Sequence, residues 1–413
     1  QYTIRIKPGS AVVFDQAALE RRISELISDW GTELGQALQA AFGEAHGRKH
    51  QREYIDAFPA GYREAYSPRA AADDVASIER LSTEHPLLTR FYHLPEDAED
   101  RLRLKVFHFG GPLSLSDLVS KLENMGLEVA EEQPHRIQTA SGKVVSLHDF
   151  LLIYSGQIDL LETGARFNEA FERVWTGQVE DDGFNRLILG AGLTWRQVTV
   201  LRSYSRYLQQ IRFGFSQSFI SDTLVCHPAL SRMLLRCFEA RFEVGGKSSV
   251  AAKLQHQILQ ALEDVALLNE DRILRRILDL INATKRTNYF REAGGQPRPY
   301  LSLKLSPSEI PDMPRPMPEF EIFVCAPHFE GVHLRGGRIA RGGLRWSDRL
   351  EDYRTEVLGL VKAQIVKNGV IVPTGAKGGF VLKEVRGTAN DVVSCYRQFI
   401  SGLLDLTAVS YTH

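Results

Sequence analysis

Near residue 300 the hydrophobic period of this chain changes from about 3.6 residues to about 2, and no single uniform architecture accommodates both. Upstream, Leu254, Ile258, Leu262 and Val265, then Ile273, Ile277 and Leu280, recur three or four residues apart, as helices burying one face require. Downstream, Leu301, Leu303 and Leu305 alternate, and so do Phe320, Ile322 and Val324. Five prolines from Pro307 to Pro318 separate the two alternating runs, where neither a helix nor a central strand continues.

The rest of the chain is as mixed. Residues 3–8 read as a strand and 15–95 as mostly helical, with Leu19, Ile23, Leu26 and Ile27 and then Leu34, Leu38 and Phe42 at helical spacing. A polar interval at 44–52 follows, and Pro68 precedes a further helix carrying Ala72, Val75 and Ile78. From 101 to 177 the order becomes strand (Leu102, Leu104, Val106), helix (Leu118, Val119, Leu122), strand from Leu127, strand from Val144 to Tyr154, and helix (Phe167, Phe171, Val174). That βαββα order is most of a ferredoxin-like unit, which ACT-type regulatory modules share; a plain spacer is the alternative. Residues 180–290 read as helical throughout. Gly190-Ala191-Gly192 lacks the third glycine of a dinucleotide fingerprint and reads as a helix break. The fold class expected is a multidomain chain of α+β and α/β type.

Charge narrows the function. Fifty Lys and Arg against 51 Asp and Glu leave a net charge of −1, which argues against a nucleic-acid binder and against a highly charged disordered chain. The four cysteines, Cys226, Cys237, Cys325 and Cys395, form no CxxC pair, so no zinc site and no disulfide framework is expected, and the usage fits a reducing cytoplasm. No apolar run approaches a membrane span, and no secretory signal is seen. The chain opens on Gln1 in a strand-like pattern and stops soon after an apolar segment without a cap, so both ends read as cut.

Chemistry concentrates in residues 341–383, which hold eight Lys and Arg, four Asp and Glu, and seven glycines among apolar runs. Arg341 and Arg345 flank Gly342-Gly343; glycines admit close backbone approach, and a guanidinium can grip a carboxylate with two hydrogen bonds. A buried helix is expected over 352–368, with Gln364 and Lys367 on one face. Val370-Ile371-Val372 reads as a short buried strand, and Pro373 to Gly379 as a sharp glycine-rich turn holding Lys377. A lysine buried on such a helix needs an anion. The residues favour a carboxylate-binding enzyme site. A phosphate loop is the second reading, although Gly378 follows Lys377 where GxxxxGK[ST] needs Ser or Thr; a purely structural segment is the third.

GGLRW, the QxxK helix and PTGAKGG together resemble the substrate-domain signature of glutamate dehydrogenases, and the whole of 341–381 is similar to the large bacterial NAD-specific branch. HDF at 148–150, DGFNRL at 182–187 and GLTWRQV at 192–198 extend the likeness over essentially 1–406. The resemblance implies oxidative deamination of L-glutamate to 2-oxoglutarate with NAD. It implies Lys377 as the catalytic lysine that activates water, a role that needs ready loss of its proton. It implies Gln364 and Lys367 at the substrate α-carboxylate, Arg341 (in place of the usual lysine) at the side-chain carboxylate, and Gly342, Gly343 and Arg345 in the GGxR motif. Arg341 is bulkier than lysine, and the segment from Lys367 to Lys377 is two residues shorter than in the small hexameric enzymes. The catalytic aspartate and the dinucleotide domain are expected beyond residue 413, leaving the chain itself inactive. The expected division is 1–98, the end of an upstream ACT-like module with helices; 99–178, an ACT-like regulatory domain that takes an amino-acid effector; 179–298, helical; 299–407, the start of the substrate domain; and 408–413, a non-native tail. A homo-oligomer is expected. A non-catalytic binding module, or a dehydrogenase of another amino acid, remains the alternative.

Overall fold

The computed structural model describes residues 30–95, 97–98, 100–156, 160–245, 248–337, 340–367, 374–383 and 389–407. The strand expected at 3–8, the first helix at Leu19–Ile27, the strand at 370–372 and the tail at 408–413 lie outside the described residues. The chain divides into two compact units. One takes residues up to Leu94 with Arg103–Ser114 and Ala130–Leu151; the other takes Pro95–Leu102, Leu115–Val129 and Leu152 onward.

In the first unit, α1 (Trp30–Tyr54) runs through the polar interval 44–52, with one interruption. The interruption is confined to Gly43, whose φ of 78° glycine adopts without a Cβ penalty. Helix α2 (Ala60–Ala65) and α3 (Pro68–Glu79) follow; Ser67 caps α3 by accepting from the Ala70 N–H, with Pro68 in the first turn. Residues 87–92 fell within the stretch read as helical, yet Leu87–Tyr92 is strand β1, paired antiparallel with β2 (Arg101–Phe109). Pro86 interrupts any helix there, and the threonine and aromatics that follow suit a pleated, half-buried edge. With β3 (Glu128–Gln138) and β4 (Val144–Ile153) these form a sheet of order β1-β2-β4-β3. Leu34, Leu38, Tyr54, Phe58, Tyr62, Ile78, Phe107, Ile137 and Leu147 make its core.

The second unit holds the two helices of the βαββα order, α4 (Leu115–Asn124) and α5 (Leu160–Trp175). A helical series comes next: α6 (Arg186–Gly190), α7 (Trp195–Gln210), α8 (Gln217–Cys226), α9 (Pro228–Phe242), α10 (Ser248–Leu262) and α11 (Leu268–Ala283). The Gly190–Gly192 break is real: α6 ends there, and Thr194 and Gln197 form a capping box that starts α7. A seven-stranded sheet follows. Its edge is β5 (Thr284–Thr287), upstream of residue 299, and a small hairpin, β6 (Glu292–Ala293) and β7 (Gln296–Pro297), turns at Gly294 and Gly295. The remaining strands are β8 (Leu301–Leu305), β9 (Phe320–Cys325), β10 (Phe329–Arg335), β11 (Ala340–Arg341), β12 (Leu344–Trp346) and β13 (Thr374–Leu382), in the order β11-β13-β10-β9-β8-β5 with β12 also on β13. Helix α12 spans Tyr353–Lys367 and α13 Ala389–Leu406. Phe399 of α13 packs with Val324, Phe329 and Phe380 on one face of the sheet.

The described part of the segment expected to be a sharp turn, 374–379, is the first two-thirds of β13. Its glycines do not reverse the chain; they remove side chains where neighbours press on the strand from both faces.

Candidate functional site

Strand β13 lies between β10 on one side and β11 with β12 on the other. On the β10 side the pairing is antiparallel, with Leu334 opposite Lys377 and His333 opposite Gly378. On the other side it is parallel, with Arg341 opposite Gly375 and Arg345 opposite Gly379. The Gly342-Gly343 pair lets this arm pass: a Cβ on Gly342 would stand 1.3 Å from the Ala376 carbonyl oxygen. The Gly378 N–H donates to the Gly343 carbonyl at 3.1 Å.

Helix α12 covers the face of β13 that carries Gly375, Lys377 and Gly379. A Cβ on Gly375 would meet the Gln364 side chain at 2.9 Å, and one on Gly379 would meet Val357 Cγ2 at 2.5 Å. Strand side chains alternate, so Lys377 stands between these two contacts on the helix-facing side, where it is half-buried. The fold thus brings together Gln364, Lys377 and the Arg341–Gly343 arm. Lys367 is the last residue of α12, three positions beyond Gln364. The side chains of Lys367 and Arg341 are outside the described residues.

Arg345 is held elsewhere. Its Nη1 lies 2.9 Å from Glu356 Oε1 in the first turn of α12, and the side chain is 50% exposed. Ser347 Oγ donates to the other oxygen of Glu356 at 2.6 Å. In this structure Arg345 braces the start of the helix.

Three buried polar anchors escaped the sequence reading. Arg354 of α12 donates from Nε and Nη2 to both oxygens of Glu321 on β9, at 2.7 and 2.8 Å, and both residues are buried. Gln210 of α7 accepts from the Arg354 N–H at 3.3 Å and donates to the Leu350 carbonyl at 3.1 Å, so a helix far upstream caps α12. The third is a cluster at the end of β13: Lys383 Nζ lies 2.7 Å from Glu180 and 3.2 Å from Glu330, while Arg206 lies 3.4 and 3.7 Å from the same two carboxylates. Burial would push the Glu180 carboxyl up, but Lys383, Arg202 and Arg206 outweigh it and hold it below the usual carboxylate range. Burial would likewise lower the Lys383 ammonium, but Cys325, Glu180 and Glu330 raise it above the ordinary lysine value. Glu321 was legible only as the polar residue between Phe320 and Ile322; both faces of β9 are buried, which alternation alone does not announce.

His333, across β10 from Gly378, is pushed down to about 4 by burial and by Arg335. Among the described residues no cluster of three or more His, Cys, Asp or Glu could hold a metal ion. Among the same residues no helix is long and apolar enough to cross a membrane.

Residues 257–412, which include this sheet and the helix over β13, match a family model described as bacterial NAD-glutamate dehydrogenase, catalytic domain. Three further glutamate dehydrogenase models match in order upstream, helical motif 2 at 37–81, the ACT3 domain at 86–165 and helical motif 3 at 179–244. The chain is 45% identical over 98% of its length to the NAD-specific glutamate dehydrogenase of Pseudomonas aeruginosa, and 46% identical over 98% to that of Halomonas elongata. To the Mycobacterium tuberculosis enzyme of the same name it is 41% identical over 93%. The chain belongs to the bacterial NAD-specific glutamate dehydrogenase family. It spans about a quarter of the length of these relatives (26%, 26% and 25%).

Proposed function

We propose that this chain is the portion of an NAD-dependent glutamate dehydrogenase that receives L-glutamate and presents the lysine that turns it over to 2-oxoglutarate and ammonium. The observation that carries the reading is the placement of Gln364 against Gly375, two residues from Lys377, beside the arm that starts at Arg341. In this reading the Gln364 amide and Lys367 hold the α-carboxylate, Arg341 takes the side-chain carboxylate with two parallel hydrogen bonds, and Gly342 and Gly343 let substrate and backbone approach. Lys377 is the general base: it takes a proton from water as the water oxygen bonds to the substrate's iminium carbon and the C=N π pair moves to nitrogen. The resulting carbinolamine becomes 2-oxoglutarate as its C–N bond breaks and the nitrogen leaves with the proton. Arg345 acts through Glu356 on the start of α12 rather than on substrate.

NAD, when bound, accepts the hydride. The described residues present no nucleotide cradle for it: Gly190–Gly192 ends a helix, and the glycine-rich 375–379 lies within a strand paired on both edges. The four cysteines are free thiols, in keeping with a cytoplasmic enzyme. The ACT3 match supports an effector role for the βαββα region, in an enzyme read as a homo-oligomer whose substrate domain takes 299–407 of this chain.

The test is Lys377→Ala in the full-length enzyme that carries this chain. Turnover should be abolished while calorimetry still detects glutamate binding; substantial turnover would remove Lys377 from the mechanism. The purified chain alone, given glutamate and NAD, should produce no NADH.

A further inference from the structure

We propose that Glu180, Lys383 and Glu330 are positioning residues that hold the register of β13, so that the helical segment before the sheet sets where Lys377 stands. This rests on the reading of Lys377 given above.

The first part of β13, Thr374–Gly379, is poorly equipped to hold its own register. Gly375, Gly378 and Gly379 bring no side chain to the strand, and a slip of one residue would move Lys377 to the opposite face, away from Gln364. The glycines are needed, because α12 and Leu344 press on those positions. The anchors lie at the end of the strand, where buried Phe380 and Val381 are followed by a polar contact. Lys383 is the residue directly after β13, and its ammonium is fixed on two carboxylates from different elements. Glu330 belongs to β10, the antiparallel neighbour of β13. Glu180 lies 203 residues upstream, between α5 and the short helical turn at Gly183–Asn185. Arg202 Nε, from α7, lies 3.7 Å from Glu180 and also holds Asp182, fixing the segment that bears Glu180. The same helix α7 supplies Gln210, which caps α12. One helical scaffold thus grips both the strand that carries Lys377 and the helix that carries Gln364.

A buried ammonium between two carboxylates has one favourable place. Three acidic groups, Glu180, Glu330 and Asp182, face three basic ones, Lys383, Arg202 and Arg206, so the cluster is balanced only when β13 is in register.

The experiment uses the full-length enzyme. Lys383→Met is expected to lower kcat about 10- to 100-fold, as a shift of ~1 Å at a reacting group does, with KM for glutamate changed less than about threefold. Lys383→Arg keeps the charge and should recover most of kcat; a purely structural lysine would not show the split between kcat and KM. Should Lys383→Met fail to fold, Glu180→Gln is the gentler probe, because Glu330 still faces Lys383. Its kcat should fall about 3- to 10-fold with KM kept. A folded variant with kcat within about twofold of the parent overturns the proposal, and so does failure of both variants to fold, since the cluster would then serve stability alone. Lys377→Ala run alongside separates the two claims. If it keeps turnover, the catalytic assignment fails whatever Lys383 does; if it is dead while Lys383→Met is fully active, only the positioning claim fails.

Discussion

Each of the two units contains a buried ion cluster, and the two differ in reach. In the first, Asp74 is completely buried, 2.6 Å from Lys105 Nζ and 2.5 Å from the Tyr62 hydroxyl, with Arg90 on its second oxygen. Lys105 also sits 3.9 Å from the centroid of the Tyr66 ring. Its partners lie 12, 16 and 31 residues from Asp74, so the cluster closes elements that are already neighbours along the chain. The second joins Glu180 to Lys383 across 203 residues and ends beside the strand that bears Lys377. Buried charge is costly unless paired, so both clusters constrain their surroundings; only the second constrains the candidate site.

The largest effect is expected of Asp74→Ala. It strands Lys105 among aromatic rings and should cost about 3–5 kcal/mol, read from urea unfolding, while kcat of the folded full-length enzyme is unchanged. A loss of turnover as large as that expected of Lys383→Met would erase the distinction between the clusters.

The folded chain holds His333 near 4 against an ordinary value of about 6.5, so its stabilising effect is fully present above 6.5. As pH falls from 6.5 towards 4 the unfolded chain takes up the proton and the folded one resists, so stability is lost, at most about 3 kcal/mol. His333→Asn should flatten the pH dependence of the urea midpoint over that window. An unchanged slope would mean that the ring is better hydrated than its place in the sheet implies.

Gly379→Ala tests the close approach of α12 to β13. Its Cβ would fall 2.5 Å from Val357 Cγ2, so the helix must lift, at a cost of about 1–3 kcal/mol and with loss of glutamate affinity. Gly379→Ala with Val357→Ala should restore part of both. The smallest effect belongs to the first unit: Ser67→Ala removes the cap of α3 and should cost about 1 kcal/mol without touching turnover.

Much of the architecture could be read in advance because it is local. The helices from 195 to 283, the strands at 301–305 and 320–325 and the βαββα order each follow from residues within a few positions of one another. Helix α12, with Gln364 and Lys367 three apart, was equally plain. Misreadings arose where the local pattern was silent or misleading. A glycine-rich strand carries no hydrophobic alternation, so β13 reads as a turn until its neighbours are in place. Leu87–Tyr92 is short enough for helix and strand patterns to coincide, and only pairing with β2 decides it.

From sequence alone came the residue types of the candidate site and the order of the elements that bear them, because side-chain chemistry and hydrophobic period are properties of short segments. Tertiary structure alone decided that Arg345 goes to Glu356 and that Gln364 comes down on Gly375. It alone joined Arg354 to Glu321 across 33 residues, Gln210 to Arg354 across 144 and Lys383 to Glu180 across 203. Such pairs are chosen by which buried charges the finished packing leaves facing one another, and no segment of the chain carries that information by itself.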